Sequence, residues 1–325
     1  MICLIYIHNI IIADYSPKNY QLWYHRRALL EFRFKGQVST CTPVGEVDET
    51  LKVAQKELDY VDKILDDDSK NYHAWSHRQW TIRTLNNPQL WSAEIDYAHT
   101  KILSDPRNNS AWNQRWFALH NGVVNVSTKG AIISLEKAKE EASYALSGAN
   151  VDPFNESPWR YLIGMLMEQW RSAQRGGTAE DIEKISDLIS DCITNIEYMK
   201  KTLEAKQKVS PDKVPSGSCV SLLSALVDLL EIFKDRKDFL LEASRYCGEL
   251  IEEDPVRRKY WRKREKEILK VIDMSPAQSA SEQRARSQSI HGCDGSESSK
   301  EDANTPQHDE ANSPQRTRAA SLHQA

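Results

Sequence analysis

The chain has 325 residues, of which 43 are basic and 47 acidic, for a formal net charge of -4. That balance offers no nucleic-acid surface. With 12 Gly and 12 Pro amid abundant Leu, Ala, Glu and Lys, it points to long helices rather than a sheet. Six cysteines (Cys3, Cys41, Cys192, Cys219, Cys247 and Cys293) show no CxxC spacing and read as free thiols of a reducing compartment, not as a disulfide framework or a zinc site.

The opening "MICLIYIHNIII" is apolar for about 12 residues, too short to span a bilayer. It lacks a basic n-region and a small-residue cleavage site. It reads as part of a packed helix or an irregular start, and the protein as cytoplasmic with no membrane span. Then comes "KNYQLWYHRR" at residues 18–27, nearly repeated as "KNYHAWSHRQ" at 70–79 and echoed by "RNNSAWNQRW" around Trp112 and "FNESPWRYLI" around Trp159. In all four an Asn (Asn19, Asn71, Asn108, Asn155) stands four residues before the Trp, and in the first three an Arg (Arg26, Arg78, Arg115) follows three after. A weaker copy, "VRRKYWRKRE", has Trp261 and Arg264, with Arg257 in the Asn slot. Five of the nine Trp thus share one repeat position.

Asn is a good N-cap, and a Trp one turn later shares a helix face with residues three and four further on. Upstream of the later caps run "LKVAQKELDYVDKILDDDS", "WSAEIDYAHTKILSDPR" and "LEKAKEEASYALSGANVDPF", amphipathic at helical spacing, as with Leu58, Val61 and Leu65. Each unit is therefore a helix, a tight turn and an Asn-capped helix. Such αα-hairpins of roughly 35 to 50 residues cannot bury their apolar faces alone and stack into a curved solenoid. The predicted fold is all-α, an α-α superhelix over residues 1–273. "FKGQVSTCTPVGEVD" reads as an insertion at 34–48, and residues 174–183 and 206–217 as connectors. Residues 274–325, rich in Ser, Gln and Glu, read as a disordered tail.

The repeated Trp and Arg are best explained as structure, with Trp filling the core and Arg pairing with a carboxylate at a neighbouring turn. His25 and His77 share a slot two after Trp and belong to the repeat. His73 and His77, four apart, lack the Glu of HExxH, so a zinc site here is disfavoured. Lys18, Tyr20 and Gln21, with Lys70, Tyr72 and His73, lie beside the cap Asn at one rim of the stack. There they form either a solvated loop or a place where positive charge and helix N-termini receive an anion.

"PKNYQLWYHRR", "KNYHAWSHRQW", "RNNSAWNQRW" and "NESPWRYLIGML" resemble successive repeats of protein prenyltransferase α subunits, and more narrowly the subunit shared by farnesyltransferase and type I geranylgeranyltransferase; "DPVRRKYWRKRE" resembles the last repeat. The match covers about residues 10 to 270. The resemblance implies a crescent of helical hairpins around a β subunit as obligate partner. The enzyme moves a farnesyl or geranylgeranyl group from its diphosphate to the Cys of a C-terminal CaaX sequence, as on small GTPases. The catalytic zinc is implied to sit in the β subunit and magnesium to accompany the diphosphate. By the same resemblance Lys18 reaches the diphosphate as catalytic residue and Gln21 the peptide carboxylate, while Tyr20, Asn71, Tyr72 and His73 line or support that mouth. Family members carry a further hairpin before "KNYQ", so the chain reads as shortened at its N-terminus. The alternatives are a Rab-type α subunit and a non-catalytic repeat scaffold.

Overall fold

The computed structural model describes residues 16–35, 49–122, 133–210, 212, 215 and 217–273. Among these residues there are eleven α-helices and no strand. They are α1 (Tyr20–Lys35), α2 (Glu49–Asp67), α3 (Tyr72–Leu85), α4 (Pro88–Ser104), α5 (Asn109–Gly122), α6 (Leu135–Val151), α7 (Glu156–Gly176), α8 (Ala179–Val209), α9 (Val220–Leu230), α10 (Lys237–Glu253) and α11 (Arg258–Asp273). The chain divides into two units, Met1–Asp273 and Met274–Ala325. The expectations for the apolar start, the 36–48 part of the insertion and the Ser-rich tail lie outside the described residues.

From α2 onward the helices pair into hairpins: α2 with α3, α4 with α5, α6 with α7, α8 with α9 and α10 with α11. The second helices form a layer of their own, α1 packing on α3, α3 on α5, α5 on α7 and α7 on α9. This is the all-α stack of hairpins, an α-α superhelix, that the repeat predicts. Local chemistry sets each boundary. Helix α3 ends at Asn86 in the left-handed conformation (φ 47°), which Asn tolerates, and its N–H bonds Ile82 O. Asn87 then caps α4, and Pro88 opens it where its missing N–H costs nothing.

Leu58, Val61 and Leu65 are buried, as their spacing predicts, and so are Trp23, Trp75, Trp112, Trp159 and Trp261. Truncating a Trp in such a core costs about 3–5 kcal/mol. Packing around Trp112 is tight: a Cβ on Gly148 would stand 3.1 Å from its ring.

The connector predicted at 174–183 is mostly helix, and the first four residues of the one at 206–217 are helical too. Helix α7 continues to Gly176, leaving Gly177 and Thr178 before α8, and α8 runs on to Val209. The polar run there carries a capping box, Thr178 accepting from the Asp181 N–H and Asp181 from the Thr178 N–H. Its fully buried residues begin only at Ile185, with Ile182 partly buried before it, which hides the start of the helix from a periodicity count.

Candidate functional site

The units are joined by a recurring hydrogen-bond relay. In the first four units the Trp indole N–H donates to the carbonyl six residues earlier: Trp23 to Pro17 (2.7 Å), Trp75 to Ser69 (2.9 Å), Trp112 to Pro106 (2.9 Å) and Trp159 to Pro153 (2.8 Å), whereas Trp261 donates to Asp254 Oδ2 (2.9 Å). The same carbonyls accept the side-chain amide of the next unit's Asn: Pro17 O from Asn71 (3.2 Å), Ser69 O from Asn108 (2.8 Å) and Pro106 O from Asn155 (2.7 Å). Each Asn Oδ1 meanwhile caps its own helix, Asn71 taking the N–H groups of His73 and Ala74. One side chain therefore starts a helix and fixes it to the preceding turn. At Pro153 O the donor is the thiol of Cys219, the N-cap of α9. This reveals a unit that the Trp pattern misses, with Leu223 where the others place Trp.

Behind the turns runs a buried ladder of charge. The Arg26 side chain pairs with Glu57, Arg78 with Glu94 and Arg115 with Glu141. Each Glu also binds the residue two after its own unit's Trp: His77 Nε2 (2.6 Å), Gln114 Nε2 (2.6 Å) and the Tyr161 hydroxyl (2.6 Å). Each guanidinium lies over a Tyr ring, Arg26 on Tyr60 (3.8 Å), Arg78 on Tyr97 (3.4 Å) and Arg115 on Tyr144 (4.1 Å). The sequence signal is Glu-x-x-Tyr: "ELDY", "EIDY" and "EASY", with the Glu 18 residues before the Trp in each case. Burial pushes the Glu57 carboxyl up, but hydrogen bonds from His77 and Arg26 override it and hold it down at about 2. Burial depresses His77, so the neutral ring donates from Nε2, and its buried Nδ1 has no partner. This places His77 in the scaffold, away from any metal pair with His73. Among the described residues no group of three or more His, Cys, Asp or Glu could hold a metal ion.

The candidate site is the rim formed by the turns entering α1 and α3. Lys18 is 77% exposed, with Nζ 3.1 Å from Asp68 Oδ2; the other Asp68 oxygen accepts the Lys70 N–H (3.2 Å). Tyr20 opens α1 and is 67% exposed, while Gln21 next to it is exposed and gives its N–H to Asn19 Oδ1 (3.0 Å). Tyr72 opens α3 at 76% exposure, its ring edge-on to the half-buried His73 at 5.6 Å. Asn71 is buried with both ends of its amide engaged, so it supports the rim without facing solvent. The Asn71–Pro17 and Lys18–Asp68 contacts bring all six residues to adjacent turns.

The contact that Lys18 makes recurs along the stack. Lys70 lies 3.8 Å from Asp105 and Arg107 2.6 Å from Asp152, so three successive turns each send a cation to an Asp in the next. Asp68 is the partner that sequence reasoning missed, because it belongs to the following unit. An exposed pair of this kind contributes little to stability, and Lys18 can exchange Asp68 for an anionic ligand at small cost. The first turns of α1 and α3 add the positive ends of their dipoles to the same rim.

A model of the protein prenyltransferase alpha subunit repeat matches residues 11–33, 54–85 and 91–122. Those three segments of the chain are thus similar to the protein prenyltransferase alpha subunit repeat. The matched segments hold the first three Trp units, and the hydrogen-bond relay carries the same repeat on through Asn155 and Cys219. Over 262 residues the chain is 27% identical to the geranylgeranyl transferase type-2 subunit alpha of Saccharomyces cerevisiae, covering 76% of this chain and 68% of that one. Over 171 residues it is 29% identical to the protein farnesyltransferase/geranylgeranyltransferase type-1 subunit alpha of Solanum lycopersicum, covering 53% of this chain but 45% of the relative. The structure resembles that of Candida albicans protein geranylgeranyltransferase-I complexed with GGPP, with a TM-score of 0.55 at 22% identity over 82% of this chain and 73% of that one. At that identity the likeness speaks to the fold.

Proposed function

We propose that the chain is the α subunit of a heterodimeric protein prenyltransferase that moves a farnesyl or geranylgeranyl group from its diphosphate to the Cys thiol of a C-terminal CaaX sequence. The observation that carries this is the rim itself: Lys18, Tyr20, Gln21 and Tyr72 stand exposed at the N-termini of two helices that Asn71 ties together. Lys18 Nζ would stabilise charge developing on the diphosphate as the C–O bond breaks. Gln21 would hydrogen-bond the peptide's terminal carboxylate, with Tyr20, Tyr72 and His73 walling its approach. Zinc held by the β subunit would supply a thiolate, magnesium would accompany the diphosphate, and the reaction would run in the cytoplasm. The chain's own part is to position substrates and receive negative charge. No described helix is long and apolar enough to cross a membrane.

The greater reach of the match to the yeast type-2 subunit favours a second reading, a Rab-type α subunit. Co-expression with CaaX-type and Rab-type β subunits, followed by prenyl transfer to a CaaX peptide, tests the two. CaaX activity in a purified heterodimer supports the first. Activity confined to a Rab protein delivered by its escort protein supports the second, and assembly with no β subunit refutes both.

A further inference from the structure

Among the described residues every partly or fully buried arginine but one pairs its Nε–H. Arg26, Arg78, Arg115 and Arg264 each give it to a Glu, Arg257 to Asp254 and Arg258 to the Ile251 carbonyl. Arg27, half-buried on α1, has no carboxylate in ion-pair contact among the described residues. Its Nη2 donates to Ser76 Oγ at 3.1 Å, its guanidinium lies 5.5 Å from the centre of the Trp80 ring, and its buried Nε has no hydrogen-bond partner. Burial weighs against its charge, with Tyr72 and Glu31 compensating only through space. A desolvated N–H on a guanidinium is costly to leave unpaired, so this group is built for an anion from outside the chain.

The surroundings indicate what brings that anion. Tyr20, Tyr24 and Arg27 follow one another at helical spacing on one face of α1, and Tyr72 and Ser76 do so on the neighbouring α3. Tyr24 is 75% exposed, as open as Tyr20 and Tyr72. A small ligand would leave most of these rings wet, whereas a protein surface laid across both helices covers them together. Exposed Tyr around a central Arg is the composition of an interface hot spot. Arg27 also lies about 10 Å along the helix axis from the first residue of α1, too far for one small anion at the rim to reach both.

We propose that Arg27 anchors a docking surface for a partner protein chain, its Nε–H and Nη–H forming a two-pronged pair with a carboxylate that the partner supplies. The inference rests on the reading of the chain as one subunit of a heterodimer. Arg rather than Lys suits the place, because only the planar fork meets a carboxylate with two parallel bonds.

The test uses the full chain with the β subunit that supports activity in co-expression. It compares wild type, Arg27→Ala and Arg27→Lys for heterodimer Kd, for the Tm of the free chain, and for binding of a fluorescent isoprenoid diphosphate analogue to the heterodimer. Arg27→Ala is expected to weaken assembly about thirtyfold or more, and Arg27→Lys to recover only part of that loss. The free-chain Tm should stay within ~2 °C of wild type, since among the described residues the side chain's one hydrogen bond is to Ser76. Neutralising the matching partner carboxylate should add little once Arg27 is gone. Undiminished assembly of Arg27→Ala overturns the inference and leaves the proposed function standing. So does intact assembly with diphosphate binding lost, which would make Arg27 a small-anion site, and so does a Tm drop that accounts for the weaker assembly. A wild-type chain that assembles with no β subunit refutes the proposed function and this inference with it.

Discussion

Replacing Glu57 by Gln probes the joint between the first two described units. The Glu57 carboxylate is buried and accepts from the Arg26 guanidinium, with Nη2 at 2.7 Å, and from His77 Nε2 at 2.6 Å. Gln keeps the volume but leaves the buried Arg26 charge uncompensated, at an expected cost of about 3–5 kcal/mol. A second route agrees: holding the carboxyl at about 2 instead of 4.5 corresponds to about 3 kcal/mol of favourable interaction in the folded chain. Urea unfolding of the full chain, followed by far-UV circular dichroism, should show this loss. The double variant Arg26→Met/Glu57→Leu removes both charges and fills their space, and should recover most of the stability. A Glu57→Gln variant within about 1 kcal/mol of wild type would refute the idea that this buried charge is balanced at Glu57. So would a double variant as unstable as the single one.

Acid should destabilise the chain in two stages, read as Tm against pH. Burial keeps His77 and His120 below the usual 6.5, so the unfolded chain binds more protons and stability declines as pH falls through that value. A second loss follows as pH drops from about 4.5 toward 2, where the depressed Glu57 carboxyl finally protonates, with Glu141 contributing in the same direction; Glu57→Gln should flatten it. Asn108→Asp keeps the cap oxygen but replaces the donor to Ser69 O with a carboxylate, and should cost about 1–3 kcal/mol in chemical denaturation; wild-type stability would contradict the relay. In the active heterodimer, Lys18→Ala should lower kcat by about a hundredfold while leaving peptide KM nearly unchanged, and normal turnover would remove Lys18 from the chemistry.

Much of this architecture is written in short-range pattern. An Asn cap acts within three residues, a Trp reaches back six, and helical periodicity needs a few turns; each is visible in a single stretch such as "KNYQLWYHRR". The hairpin stack and the shared rim of Lys18, Tyr20, Gln21, Tyr72 and His73 were legible for that reason. The unit capped by Cys219 was not, because Cys and Leu223 take over the Asn and Trp places through contacts rather than identity. Nor was the charge ladder. Arg26 to Glu57, Arg78 to Glu94 and Arg115 to Glu141 are separated by 31, 16 and 26 residues, since the loop lengths differ, so no constant spacing links Arg to Glu. The constant distances run from each Glu to the Trp of its own hairpin.

The residues alone therefore determine where helices start, which faces they bury and that the hairpins must stack. Stacking alone decides partners. It sets Lys18 against Asp68, commits His77 to Glu57 and lays Arg27 on Ser76, because those groups meet only when one unit's turn is laid on the next.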